Sequence, residues 1–136
     1  MLGIEQTRAD KIRILLADDH PQVRTQLVAR LERENDFELI GVAASSTQTL
    51  RDALAKKPCV LLLDPIMRDG LGLTTLRQLH NTVPELIVVV LTAYVDTSLK
   101  MELHNMGITH ILVKGIPTAR LLDSLRTAAR FPTKSS

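Results

Sequence analysis

Residues 12–24 read IRILLADDHPQVR. An apolar run, Ile12 to Ala17, ends abruptly on two neighbouring carboxylates, Asp18 and Asp19, and then on His20-Pro21. Adjacent negative charges repel by roughly 1 kcal/mol at 4 Å in water, and by more in a partly dry cleft. Either the pair lies in a solvated turn that caps a helix, or another part of the chain compensates it. The apolar run has the length of a strand. Pro21 is well placed in a first helical turn, and Val23, Leu27 and Leu31 carry the helical spacing on to about Glu34.

The same alternation continues along the chain. FELIGVA at 37–43 predicts a second strand. Ser46 or Thr47 is placed to cap a helix carrying Leu50, Ala53 and Leu54, which ends near Lys57 ahead of Pro58. CVLLLD at 59–64 has the unbroken apolarity of a strand covered on both faces. Cys59, at its start, reads as a small buried hydrophobe. Leu71 to about Asn81 reads as a helix with Leu73, Leu76 and Leu79 inward, and LIVVVLTA at 86–93 as a second doubly buried strand. A helix follows over Asp96 to Asn105, with Leu99, Met101 and Leu103 apolar and Gly107 suited to its C-terminal cap. ITHILV at 108–113 is the fifth strand, and Pro117 opens a last helix with Leu121, Leu122 and Leu125 on one face.

Strands alternating with helices call for a parallel sheet covered on both faces. The element count matches the doubly wound, flavodoxin-like (βα)5 fold with strand order 2-1-3-4-5. Residues 1–10 read as a tail, 11–131 as one domain and 132–136 as a second, polar tail. The 136 residues favour a single domain, and 45% hydrophobic content makes long disorder implausible. Aromatics are only 2%, so Leu, Ile, Val, Ala and Met must build the core. A formal charge of +2 gives no electrostatic footprint for nucleic acid. One cysteine allows neither an internal disulfide nor a zinc cluster. The longest apolar run, near Leu86 to Leu91, is far too short to span a bilayer, and the N-terminus lacks a signal-peptide core. The expected location is cytoplasmic, without membrane contact.

In such sheets ligands sit at the carboxyl ends of the strands. Those ends carry Asp18 and Asp19, then Asp64, then Thr92-Ala93, then Lys114. Three carboxylates in one cleft make a hard, oxygen-rich site suited to Mg²⁺, which would offset the repulsion between them. Lys114 adds an ammonium and Thr92 a hydroxyl. A divalent ion, an ammonium and a hydroxyl around one carboxylate are what holding a phosphoryl group requires. Asp64 is then the nucleophile, forming an aspartyl phosphate. His20 is expected to be a helix cap rather than a metal neighbour. His80, His104 and His110 show no metal-ligand spacing, and Met101 and Met106 read as packing residues.

This set resembles the receiver domain of two-component response regulators over about residues 11–131, and LADDHPQVR at 16–24 is similar to the NarL/FixJ subfamily. The resemblance implies that Asp64 accepts a phosphoryl group from a histidine kinase or phosphotransfer protein. It also implies that Asp19, with Asp18, Asp64 and the backbone carbonyl of Ile66, holds Mg²⁺. Thr92 and Lys114, joined by the backbone N–H groups of Ile66 and Ala93, would bind phosphoryl oxygens. It implies a signalling switch rather than an enzyme, a homodimer partner, and transcription control through an output domain rather than direct nucleic-acid contact by these residues. The family motif D-x-x-M-P is here DPIMR: Met67 is kept, Arg68 replaces the usual Pro, and Pro65 follows the acceptor directly. Gly72 stands where the family's loop glycine is expected. Ile111 occupies the position of the family's switching Tyr or Phe, and Gly115 replaces the Pro that commonly follows the lysine. Pro65, Arg68 and Ile111 motivate a second reading, an interaction module that keeps the fold and works without phosphorylation. A flavodoxin-like enzyme is a distant third, because neither a Gly-rich phosphate loop nor cofactor-stacking aromatics are present.

Overall fold

A computed structural model describes residues 11–130. The tails expected at 1–10 and 132–136 lie outside the described residues. The elements run β1 (Ile12–Ala17), α1 (Pro21–Glu32), β2 (Phe37–Ala43), α2 (Ser46–Lys56), β3 (Val60–Leu63), α3 (Gly72–Thr82), β4 (Ile87–Thr92), α4 (Thr97–Asn105), β5 (His110–Val113) and α5 (Thr118–Arg130). The strands form one parallel sheet in the order β2-β1-β3-β4-β5.

Alternation along each strand feeds two separate cores. Leu15, Ala17, Leu61, Leu63 and Val90 face α2, α3 and α4, where they meet Ala53, Leu76, Leu79, Leu99 and Leu103. Ile14, Leu16, Val60, Leu62, Val89 and Leu91 face α1 and α5, where they meet Leu31, Leu121, Leu122, Leu125 and Ala128. β3 is buried along its whole length, as its unbroken apolarity requires.

Three local expectations change. Ser45, not Ser46 or Thr47, caps α2: its hydroxyl accepts the Gln48 N–H at 3.1 Å. Ser46 is engaged elsewhere, since its N–H and hydroxyl donate to Asp69 at 2.7 and 2.8 Å. Cys59 is exposed rather than buried. Its backbone joins β1 and β4 through Arg13 O and Ile87 N, while its side chain precedes the covered stretch. Met101 is 61% exposed. Leu99 and Leu103 are four residues apart on the inner face of α4, and position 101 lies about half a turn away. Met106 is buried, as expected.

Arg126 fastens α5 to the α1–β2 corner. Its guanidinium donates to Asp36 at 2.7 and 3.1 Å and to Glu34 at 2.6 Å, and lies 4.9 Å from the centre of the Phe37 ring. These hydrogen bonds hold the Asp36 carboxyl below its ordinary value against the opposing effect of burial. A carboxylate with a lowered folded-state pKa stabilises the fold above its unfolded value, and that contribution is lost as pH falls through the folded one. Arg126→Met is therefore expected to lower the urea midpoint at pH 7 by an amount equivalent to about 1–2 kcal/mol, the pairs being partly exposed. The gap to wild type should narrow when the titration is repeated near pH 3. An equal gap at both pH values would remove Asp36 from the explanation.

Candidate functional site

The carboxyl ends of β1, β3, β4 and β5 bring the expected residues together. The ladder continues just past the strands: Asp18 N–H donates to Ala43 O, Asp64 N–H to Ala17 O and Lys114 N–H to Thr92 O, at 3.1, 3.0 and 2.7 Å. These bonds set Asp18, Asp64 and Lys114 side by side. Asp18 and Asp64 are each 2% exposed, and Thr92 is 1% exposed. Gly115 has φ +101°, so the chain turns away immediately after Lys114 through a conformation that favours glycine.

Lys114 is the local counter-charge. Its ammonium lies 2.7 Å from Asp64 Oδ2 and 2.9 Å from Asp18 Oδ2. Burial works against its charge, but the two carboxylates outweigh it and hold the ammonium pKa above the ordinary lysine value. Asp64 Oδ1 accepts the Ile66 N–H at 2.9 Å, an Asx-type turn at the strand end. That turn coexists with the charged site, and Pro65 leaves the Ile66 donor intact.

Asp19 Oδ2 accepts the Arg68 N–H at 2.7 Å. A proline at position 68 has no N–H to give, so the departure from the family motif supplies this bond. Asp19 Oδ1 is buried without a hydrogen-bond partner. An unpaired buried acceptor is costly, and a cation facing it would remove that cost. Asp18, Asp19 and His20 each offer a ligand atom within 4.8 Å of the others. The two carboxylates of this set fit a hard divalent ion. Asp19, His20, Asp64, Ile66, Thr92, Ala93 and Tyr94 are among the residues lining one open cleft of about 480 Å³.

Three features of the site went beyond the sequence reading. His20 is the residue before α1, but its side chain makes no cap bond. It turns inward instead, with Nδ1 2.9 Å from Asp18 Oδ1. Arg24 donates to the Asp18 carbonyl at 2.9 Å, which gives the arginine of LADDHPQVR a structural role. Asp69 ties the β3–α3 loop to α2 through Ser46, and also accepts the Leu71 N–H at 3.0 Å. Burial acts to raise its pKa but is outweighed by these donors, which keep the carboxyl below its ordinary value. Ile111 is partly buried against the α2–α3–α4 core, and Tyr94 is 72% exposed at the cleft. An ordered constellation spread over four strand ends is the observation that decides the family.

The model of the response regulator receiver domain matches residues 14–126. The chain belongs to that family. This receiver is 32% identical over 123 residues to the transcriptional regulatory protein LiaR of Bacillus subtilis, a match covering 90% of the chain and 58% of LiaR. The chain thus spans less than two-thirds of that relative's length. Its fold is that of the signal receiver domain of the response regulator NarL from Mycobacterium tuberculosis, with TM-score 0.83 and 21% identity over 90% of this chain and 98% of that one. The isolated receiver domain of RcsB from Salmonella enterica serovar Typhimurium, solved with the phosphomimetic BeF3⁻, aligns with TM-score 0.78 and 24% identity over 90% and 91% of the two chains. Receivers of this family are the switches of two-component systems, and this one is NarL/LuxR-like. No helix among the described residues is long and apolar enough to cross a membrane.

Proposed function

We propose that this receiver takes a phosphoryl group onto Asp64 from a histidine kinase or phosphotransfer protein, with Mg²⁺ held by Asp18, Asp19, Asp64 and the Ile66 carbonyl. One observation carries the reading: a buried carboxylate meets an ammonium at 2.7 Å, beside a second acidic pair with an unpaired buried oxygen. Asp64 would attack phosphorus through a carboxylate oxygen, and the donor's leaving group would depart with the bond electrons. Mg²⁺, when bound, supplies charge neutralisation on the transferring oxygens. Lys114 would then move from Asp64 Oδ2 to a phosphoryl oxygen, and the Thr92 hydroxyl and the N–H groups of Ile66 and Ala93 would take others. Slow hydrolysis returns the free carboxylate and inorganic phosphate.

The switch is read as a shift between existing conformations, favoured by new contacts to Thr92 and Lys114. Ile111 cannot make the swing of an aromatic ring, so the coupling from Thr92 to the β5–α4 face would run by another route. A cytoplasmic location, self-association through a second copy, and transcription control through an output domain, as LiaR's name suggests for that relative, belong to the same proposal. Direct nucleic-acid or membrane contact by these residues does not.

Intact-mass spectrometry after incubation with acetyl phosphate and Mg²⁺ tests the reading. Wild type should gain one phosphoryl group, and Asp64→Asn and an EDTA control should gain none. Absence of an adduct with several small donors would leave the phosphorylation-independent module, which Pro65, Arg68 and Ile111 motivate, as the better account.

A further inference from the structure

We propose that His20 is a nitrogen ligand of the acidic cleft, and that this gives the site a preference for imidazole-binding ions such as Co²⁺, Ni²⁺ or Zn²⁺ over Mg²⁺. The proposal rests on the reading of Asp18 and Asp19 as a cation site and adds a third protein donor to it.

The geometry comes first. His20 Nδ1 lies 2.9 Å from Asp18 Oδ1, 3.4 Å from Asp19 Oδ1 and 4.0 Å from Asp64 Oδ2. Neighbouring vertices of an octahedron with bonds near 2.1 Å stand roughly 3 Å apart. The nitrogen and the first two oxygens therefore have the spacing of adjacent ligands. Asp18 Oδ1 also accepts the His20 backbone N–H at 2.8 Å, which holds the residue with its ring over the acidic cleft.

The second observation is independent of the cluster's charge. The Asp19 side chain is 10% exposed, and its Oδ1 has no hydrogen-bond partner. The 3.4 Å approach of His20 does not satisfy it. The Arg68 N–H already occupies Oδ2, so the free lone pairs are on the oxygen nearest the ring. A cation between them would satisfy Asp19 Oδ1 and would take Nδ1 over from its 2.9 Å contact with Asp18 Oδ1.

In the structure Nδ1 is also 3.3 Å from the Lys114 ammonium. With an ion bound, the Nδ1 lone pair goes to the metal and the neutral ring carries its proton on Nε2. Lys114 keeps its contact with Asp64. The chemical consequence follows from donor softness. Mg²⁺ demands oxygen ligands and gains little from imidazole, whereas Ni²⁺, Co²⁺ and Zn²⁺ bind it strongly. Removal of the ring should therefore separate the two classes of ion.

The test is calorimetric titration of the full chain, stripped with EDTA and dialysed, with MgCl2 and NiCl2 in parallel. His20→Phe keeps ring volume and removes the nitrogen. The ring is half exposed, so the fold tolerates the change. Expected is a loss of about tenfold or more in Ni²⁺ affinity, with Mg²⁺ affinity changed by less than about threefold. In ¹⁵N NMR, Zn²⁺ should shift the His20 Nδ1 resonance and leave the proton on Nε2. Equal losses for both ions would show a merely structural role and overturn the proposal. So would an unchanged Ni²⁺ affinity, or Ni²⁺ binding that survives Asp19→Asn and so belongs to another histidine. If wild type binds Ni²⁺ through His20 but no Mg²⁺, the assignment of His20 stands and the Mg²⁺ reading of the acid pair fails.

Discussion

Lys114→Met is expected to lower unfolding stability at pH 7 by about 2–4 kcal/mol, a large fraction of what a domain this size possesses. The side chain removed is 16% exposed, and the two carboxylates it leaves behind are 2% exposed. Removing one partner of a buried ion pair is costly because the other charge remains without water or counter-charge. Urea unfolding measures the loss. Two conditions should shrink it. Millimolar Mg²⁺ should restore part of the stability, because a ligand that binds only the folded form stabilises by mass action. Alkaline pH should close the gap from the other side. Lys114 has its pKa raised above 10.5 in the folded state. Its contribution is therefore complete below the unfolded lysine value and is lost as pH climbs through the raised one. A variant as stable as wild type at pH 7 would show that the carboxylates need no ammonium.

Gly72→Ala is expected to be comparably damaging, against the ordinary trend for the first turn of a helix. Helix propensity alone favours Ala over Gly by about 1 kcal/mol. A Cβ at Gly72, however, would lie 1.9 Å from the Pro65 carbonyl oxygen and 2.7 Å from its carbon. Both are backbone atoms, with no flexible tip to move aside. Overpacking of this kind costs about 3 kcal/mol, or more where nothing yields. Pro65 follows Asp64 directly, so the strain falls on the loop that leaves the candidate site. Thermal unfolding should show a fall of roughly ten degrees or more. In the folded fraction, the amide resonances of Ile66 and Arg68 should move. A midpoint equal to wild type would mean that α3 shifts outward without cost.

The architecture was legible because the apolar runs differ in kind. VLLL at 60–63 is unbroken in its apolarity and too short for a buried helix, which leaves a strand covered on both faces, and the helices between the strands carry four-residue spacing. The site was legible for a related reason: parallel strands put their ends on one edge, so Asp64 and Lys114 met although fifty residues separate them. What escaped the reading was set by side-chain direction and by non-local backbone donors. His20 was expected to cap α1, yet its ring turns to Asp18. Arg68 registered as a missing proline, whereas its N–H is what matters. The serine cap moved by one position because Asp69, more than twenty residues away, had claimed Ser46. None of these choices leaves a periodic trace. Cys59 and Met101 erred differently, since an apolar residue looks the same in the sequence whether or not its side of the chain is covered.

The order of the strands in sequence has a consequence for synthesis. Asp18, Asp19 and Asp64 all leave the ribosome before Lys114 does. At about 5–20 residues per second, the fifty residues between Asp64 and Lys114 represent several seconds of translation. During that interval β1 and β3 can pair, since both strands are complete. Their acidic ends then have no lysine to meet. On the proposed Mg²⁺ reading, a divalent ion from the surrounding solution would be the counter-charge for a half-made sheet until β5 brings Lys114.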